Sequence, residues 1–184
     1  MTKAKGSPFF ALLATLGEAC EALGQQSAEQ IRLGTVNVLK GQNVLQKAQT
    51  ALGELESVLL TAFVTPLDRK DLCRLGQKAY GFARATVWLP AALPAPLYRQ
   101  QTANWVAQAG GATKNLLADF ANFKKYAILQ KSIRLLRQSG LRGLQLWGQG
   151  ASFCGEPFWG NLRLAADAAF SLADCAAEAL IVNL

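Results

Sequence analysis

The chain of 184 residues carries 19 Lys and Arg against 12 Asp and Glu, contains no His, and is 51% hydrophobic but only 17% charged. That length allows one or two compact cores, and the apolar content argues against a disordered chain. The missing His removes the commonest metal ligand and the commonest acid–base group, which counts against zinc enzymes, His-dependent nucleophiles and phospho-relay chemistry.

Cys20, Cys73, Cys154 and Cys175 form no CxxC pair, so a zinc ribbon or a thioredoxin-like site is not expected. Cys20 and Cys175 fall on apolar faces, where a small buried hydrophobe suffices as explanation. No run reaches the ~20 uninterrupted apolar residues that span a bilayer. The short basic start and the apolar Phe9–Leu16 run continue past Glu18 and Glu21 as an amphipathic helix and not as a leader. The expectation is a cytoplasmic protein with reduced thiols, peripheral to the membrane only through a partner.

Six helices are predicted. In the first, Phe9, Leu13, Leu16, Cys20, Leu23, Ile31 and Val38 recur at helical spacing after a Ser7-Pro8 start. The pattern runs to about Lys40, with Gly24 and Gly34 as points of kink or break. Gly41-Gln42-Asn43 punctuates the chain, with Asn43 as N-cap of a second helix whose stripe is Val44, Ala48, Ala51, Leu55, Leu59 and Ala62. Thr65-Pro66 ends it, because a residue before proline avoids helical geometry. Asp68 then stands where an N-cap belongs, and Asp71 lies in the first turn of a third helix that buries Leu72, Leu75, Ala79, Phe82, Thr86 and Val87.

Three prolines between Leu89 and Pro96 mark a corner. The fourth helix runs from about Leu97 to Phe120, weakened by Gly110-Gly111. The fifth runs from about Asn122 to Trp147, with Ile128, Leu136 and Leu144 among its apolar positions. Gly148-Gln149-Gly150 and Gly155-Glu156-Pro157 form the next break, and the sixth runs from Pro157 through Phe158, Leu162, Ala165, Ala169, Leu172, Ala176 and Leu180. No alternating strand or hairpin dipeptide is present. The expected fold is all-α: one domain over residues 1–184, as two antiparallel three-helix groups (about 7–88 and 97–184) meeting at the 89–96 corner. Trp88, Trp105, Trp147 and Trp159 are expected in core packing.

The segment Phe63-Val64-Thr65-Pro66-Leu67-Asp68-Arg69-Lys70-Asp71-Leu72 resembles the signature of the PhoU-like phosphate-transport regulators, in the branch paired with Pit-type phosphate permeases. Thr65, Pro66, Asp68, Arg69 and Asp71 match; Lys70 replaces the usual acid. The closing stretch Leu172–Glu178 resembles that family's final acidic motif. The resemblance implies a PhoU-like bundle and a non-enzymatic regulator that contacts an inorganic-phosphate permease at its cytoplasmic face.

Such proteins hold metal clusters with carboxylates spaced four apart, a spacing that puts both on one helix face. Here the corresponding stretches read Lys47-Ala48-Gln49-Thr50, then Gly76-Gln77-Lys78, then Ser132-Ile133-Arg134-Leu135-Leu136-Arg137. Asp174 and Glu178, with Asp167, are the remaining acids, and the solvated or ion-paired reading accounts for them. No metal or other cofactor is therefore expected, beyond a weak Mg²⁺ or Ca²⁺ at Asp174 and Glu178. Capping alone accounts for Asp68.

Basic residues crowd the middle of the chain: between Arg69 and Arg142 the only acids are Asp71 and Asp119. Lys131, Arg134 and Arg137, spaced three apart, are expected roughly on one helix face as a basic surface. A basic helical module for nucleic acid or a membrane surface is thus the alternative function, with nucleic acid the less favoured partner. A homo-oligomer stays open. Gly148-Gln149-Gly150 is no phosphate loop, since it lacks the following Lys-Ser/Thr.

Overall fold

A computed structural model describes residues 8–37, 39–62, 64–122, 125–151 and 157–182. Ser7, Val38, Phe63, Cys154 and the Gly155-Glu156 turn, all invoked above, lie outside the described residues. The fold is all-α. Six helices follow in order: α1 (Pro8–Leu33), α2 (Leu39–Thr61), α3 (Arg69–Val87), α4 (Pro96–Asp119), α5 (Tyr126–Ala151) and α6 (Pro157–Val182). Among the described residues there is no strand, and no helix is long and apolar enough to cross a membrane.

The corner falls where the prolines place it. A 3-10 turn, Leu89–Ala91, follows α3, Ala92 is extended, and Pro96 opens α4 at its first position. That position suits proline because its missing N–H has no helical partner there.

The first helix ends earlier than its apolar pattern suggests. Gly34 has φ +66°, and Thr35 N–H donates to the Gln30 carbonyl at 2.9 Å while Gly34 N–H donates to Ile31 at 3.3 Å. This is a Schellman ending, which needs a left-handed residue and so favours glycine. α2 then starts before Gly41-Gln42-Asn43. The Asn37 side chain, not that of Asn43, accepts from a first-turn N–H, that of Lys40, at 3.2 Å. Gly41 is helical and faces Val87, whose Cγ2 lies 2.5 Å from where a Cβ would stand.

The fourth helix runs through Gly110-Gly111 as expected, whereas Gly148-Gln149-Gly150, expected to break the chain, continues α5 to Ala151. At Gly150 a Cβ would lie 2.0 Å from the Trp159 ring, so the glycine makes room for the indole. The start of α5 moves the other way: Phe120–Asn122 is a 3-10 turn, and α5 begins at Tyr126.

Cross-helix contacts give the directions. In the first group, Cys20 Sγ donates to Ala79 and Ser27 Oγ to Thr86, so α1 and α3 run parallel, with α2 antiparallel to both. In the second, Trp105 Nε1 donates to the Ser139 carbonyl at 2.8 Å, and Ser132 Oγ to Asp119. Arg137 meets Asp174 on α6, so neighbours again run antiparallel. The groups join through α1 on α4 and α3 on α6. One apolar core runs through all six helices, from Leu13, Leu16 and Leu23 to Leu116, Phe158 and Leu172.

Three of the four tryptophans follow expectation. Trp105 and Trp159 are buried, and Trp147 is half-buried beneath the Arg163 guanidinium. Trp88 is 46% exposed, because the chain turns into the corner at that point. Ile128, expected to face inward, is 47% exposed on the outer side of α5.

Candidate functional site

The signature segment builds the α2–α3 turn. Leu67 is buried beneath it and Thr65 and Pro66 are half-buried. The Asp68 carboxylate accepts from Lys70 N–H at 2.7 Å, and the Asp68 carbonyl accepts from Leu72 N–H at 3.1 Å. Arg69 reaches back to the Ala62 carbonyl beyond the end of α2. Asp71, in the first turn of α3, is buried beside Arg74 and Cys175. Each contact joins the two helices or closes a helix end.

Asp174 and Glu178 lie one turn apart on α6 and are drawn to opposite neighbours. Asp174 pairs with Arg137 of α5, whose Nε is 3.0 Å from Oδ1; Glu178 pairs with Arg74 of α3 at 2.9 Å. The hydrogen bond to Glu178 holds the Arg74 guanidinium above its ordinary pKa. A guanidinium against each carboxylate repels a divalent cation. The shared-face spacing is therefore spent on tying α6 to both flanking helices. Among the described residues no three Cys, Asp or Glu side chains group as metal ligands. Asp167 pairs within α6, with Arg163 at 3.6 Å.

The fold pairs part of the basic crowd in the sequence with acids and leaves part of it exposed on α5. Lys114 on α4 meets Glu21 on α1 at 2.6 Å, and that contact raises its pKa. Arg74 and Arg137 take the two α6 acids. Arg99 donates to the Pro94 carbonyl and covers Gly34. Lys131, Arg134 and Arg137 are all exposed along α5 but open onto two different hollows. Lys131 lines a hollow of about 430 Å³ between α4 and α5, whereas Arg134 and Arg137 line a groove of about 240 Å³ between α5 and α6. Steps of three residues fall short of a 3.6-residue turn, so such a series winds around the helix.

The cysteine chemistry is muted. Burial pushes the Cys20 thiol up to about 12. Cys175 is raised by burial, opposed by Arg74 and reinforced by Glu178 and Asp71. Cys73, half-buried near Glu56, is raised by the loss of water and by that carboxylate.

A hollow of about 650 Å³ between α1 and α2 was not legible from the sequence. Asn43, Gln46, Lys47, Thr50 and Glu54 line it from α2, and Leu12 and Thr15 from α1. The signal was a polar row at positions 43, 46, 47, 50 and 54, which is helical spacing on the side of α2 beside its Ala48–Leu55 stripe. The α2 stretch that the family resemblance would fill with acids thus opens into a cleft, with Lys47 and Thr50 on its wall. No protein-family model and no curated protein matches the sequence of this chain.

Proposed function

We propose that this chain is a non-enzymatic accessory protein of phosphate transport that acts by contact with an inorganic-phosphate permease at its cytoplasmic face. The observation that carries the reading is the Thr65-Pro66-Leu67-Asp68-Arg69 turn. It lies between α2 and α3 of a six-helix chain that divides at Leu89–Pro96, which is where the resemblance to PhoU-like regulators expects it. The acids of such regulators are replaced here by Lys47, Gln49 and Arg134, and Asp174 and Glu178 are held by arginines. The contact is therefore metal-independent.

The test is capture of cross-linked, tagged protein from its native host, together with phosphate uptake in cells lacking the gene. Enrichment of a phosphate permease and altered uptake are expected. Absence of any permease from the captured set, with unchanged uptake, overturns the reading.

A further inference from the structure

α5 contains Lys131, Arg134, Arg137 and Arg142 and not one Asp or Glu between Tyr126 and Ala151. Its inner side is filled by Leu129, Ile133, Leu136 and Gly143, all buried against α4 and α6. The outward arc carries Ile128, Lys131, Arg134, Leu135, Leu141 and Arg142, all exposed. Arg137 is occupied by Asp174, but Lys131, Arg134 and Arg142 have no ion pair among the described residues. An ordinary solvated face mixes both signs of charge, with acids a turn away from cations. The α5 residues of this face have a single sign and set aliphatic side chains between the cations; Asp119 of α4, beside the Lys131 hollow, accepts from Ser132. Ile128, Leu135 and Leu141 are 47%, 48% and 46% exposed.

The apolar surface extends onto α6. Tyr126 and Ile181, 39% and 72% exposed, flank the groove that Arg134 enters. From Ile128 to Arg142 the face spans about 20 Å at 1.5 Å per residue.

We propose that the outer face of α5 docks on an anionic phospholipid bilayer. Lys131, Arg134 and Arg142 meet headgroup phosphates, while Ile128, Leu135 and Leu141 enter the boundary between headgroups and acyl chains. Charge complementarity selects an anionic partner, since cations near such a surface each add to binding. The aliphatic side chains select lipid from among anionic partners, because an interfacial helix uses both terms. A nucleic-acid backbone would satisfy the cations and leave all three aliphatic side chains in water. The proposal stands apart from the phosphate-transport reading and does not require a permease.

Co-sedimentation of the full chain with vesicles tests it. Binding is expected to vesicles of phosphatidylcholine with phosphatidylglycerol and not to phosphatidylcholine alone. Replacing Arg134 and Arg142 together by Gln should weaken binding by roughly five-fold for each cation removed. Replacing Leu135 and Leu141 together by Gln should also weaken it several-fold. All four side chains are exposed, so helical content and melting temperature should be unchanged, which separates lost docking from lost folding. The proposal is overturned if the native chain ignores anionic vesicles or if the arginine pair can be replaced without effect. It is equally overturned if the leucine variant binds vesicles like the native chain, or if duplex DNA or single-stranded RNA binds more tightly than anionic vesicles.

Discussion

Gly24 and Gly110 face each other where α1 crosses α4. A Cβ on Gly24 would stand 2.8 Å from the Val106 carbonyl oxygen, and one on Gly110 would stand 2.8 Å from that of Cys20. Backbone meets backbone at this point, so the clash cannot be relieved by turning a side chain. Gly110→Ala should therefore destabilise the protein by about 1–3 kcal/mol, the range for overpacking, despite alanine's better helix propensity. At the adjacent Gly111 a Cβ would meet nothing closer than Glu21 Oε1 at 3.9 Å. Gly111→Ala should stabilise by up to about 1 kcal/mol. Urea unfolding of the two variants checks this; equal shifts in the same direction would contradict the close crossing.

Asp68 caps α3 through Lys70 N–H. Asp68→Ala should cost ~0.5–2 kcal/mol of unfolding free energy. Asp68→Asn can still accept that hydrogen bond and should be tolerated. If Asn abolished permease capture at an unchanged melting temperature, Asp68 would be a direct contact and its cap incidental.

Protein purified without chelator should contain no stoichiometric iron or zinc by elemental analysis. The reason is electrostatic as well as a shortage of ligands. Arg137 and Arg74 already lie against Asp174 and Glu178, and a metal would have to displace both. One bound equivalent would restore the metal-dependent reading of the resemblance.

The Cys20 thiol gives a pH dependence with a definite sign. Its folded value is about 12, against an ordinary value of 9.0, because burial disfavours the thiolate. Above the ordinary value the unfolded chain loses this proton and the folded chain keeps it. The contribution to stability is full below pH 9.0 and is lost as pH rises toward about 12. The slope is about 1.4 kcal/mol per pH unit. Between about pH 8.5 and about pH 10.5 the native chain should lose about 2 kcal/mol more than Cys20→Ala does. Parallel losses in denaturant melts at the two pH values would show that the site is open to water.

Much of this architecture is written in local rules. Helical period, the prolines at Leu89–Pro96 and the Asp68 cap each depend on residues close in sequence, and each appears in the structure. Glycine is where the reading went astray, because its meaning depends on what stands opposite. Gly34 ends a helix, whereas Gly41 and Gly150 lie within helices and admit a valine and an indole. Charge was misleading for a similar reason. Folding neutralises part of the cation crowd, since Glu21, Asp174 and Glu178 reach Lys114, Arg137 and Arg74 from distant helices, and leaves Lys131, Arg134 and Arg142 exposed on α5. The acid-free α5 was visible from the start, but which side of it faces outward was not.

The pairing of α1 with α4 and of α3 with α6 sets a timetable for synthesis. Lys114 and its partner Glu21 are 93 residues apart, and Arg74 and Glu178 are 104 apart. At ~5–20 residues per second, α1 is on the nascent chain for roughly five to twenty seconds before α4 exists to cover it. α3 waits slightly longer, because Glu178 of α6 follows its partner Arg74 by 104 residues. Through that interval the leading half carries an apolar flank that its own three helices do not cover.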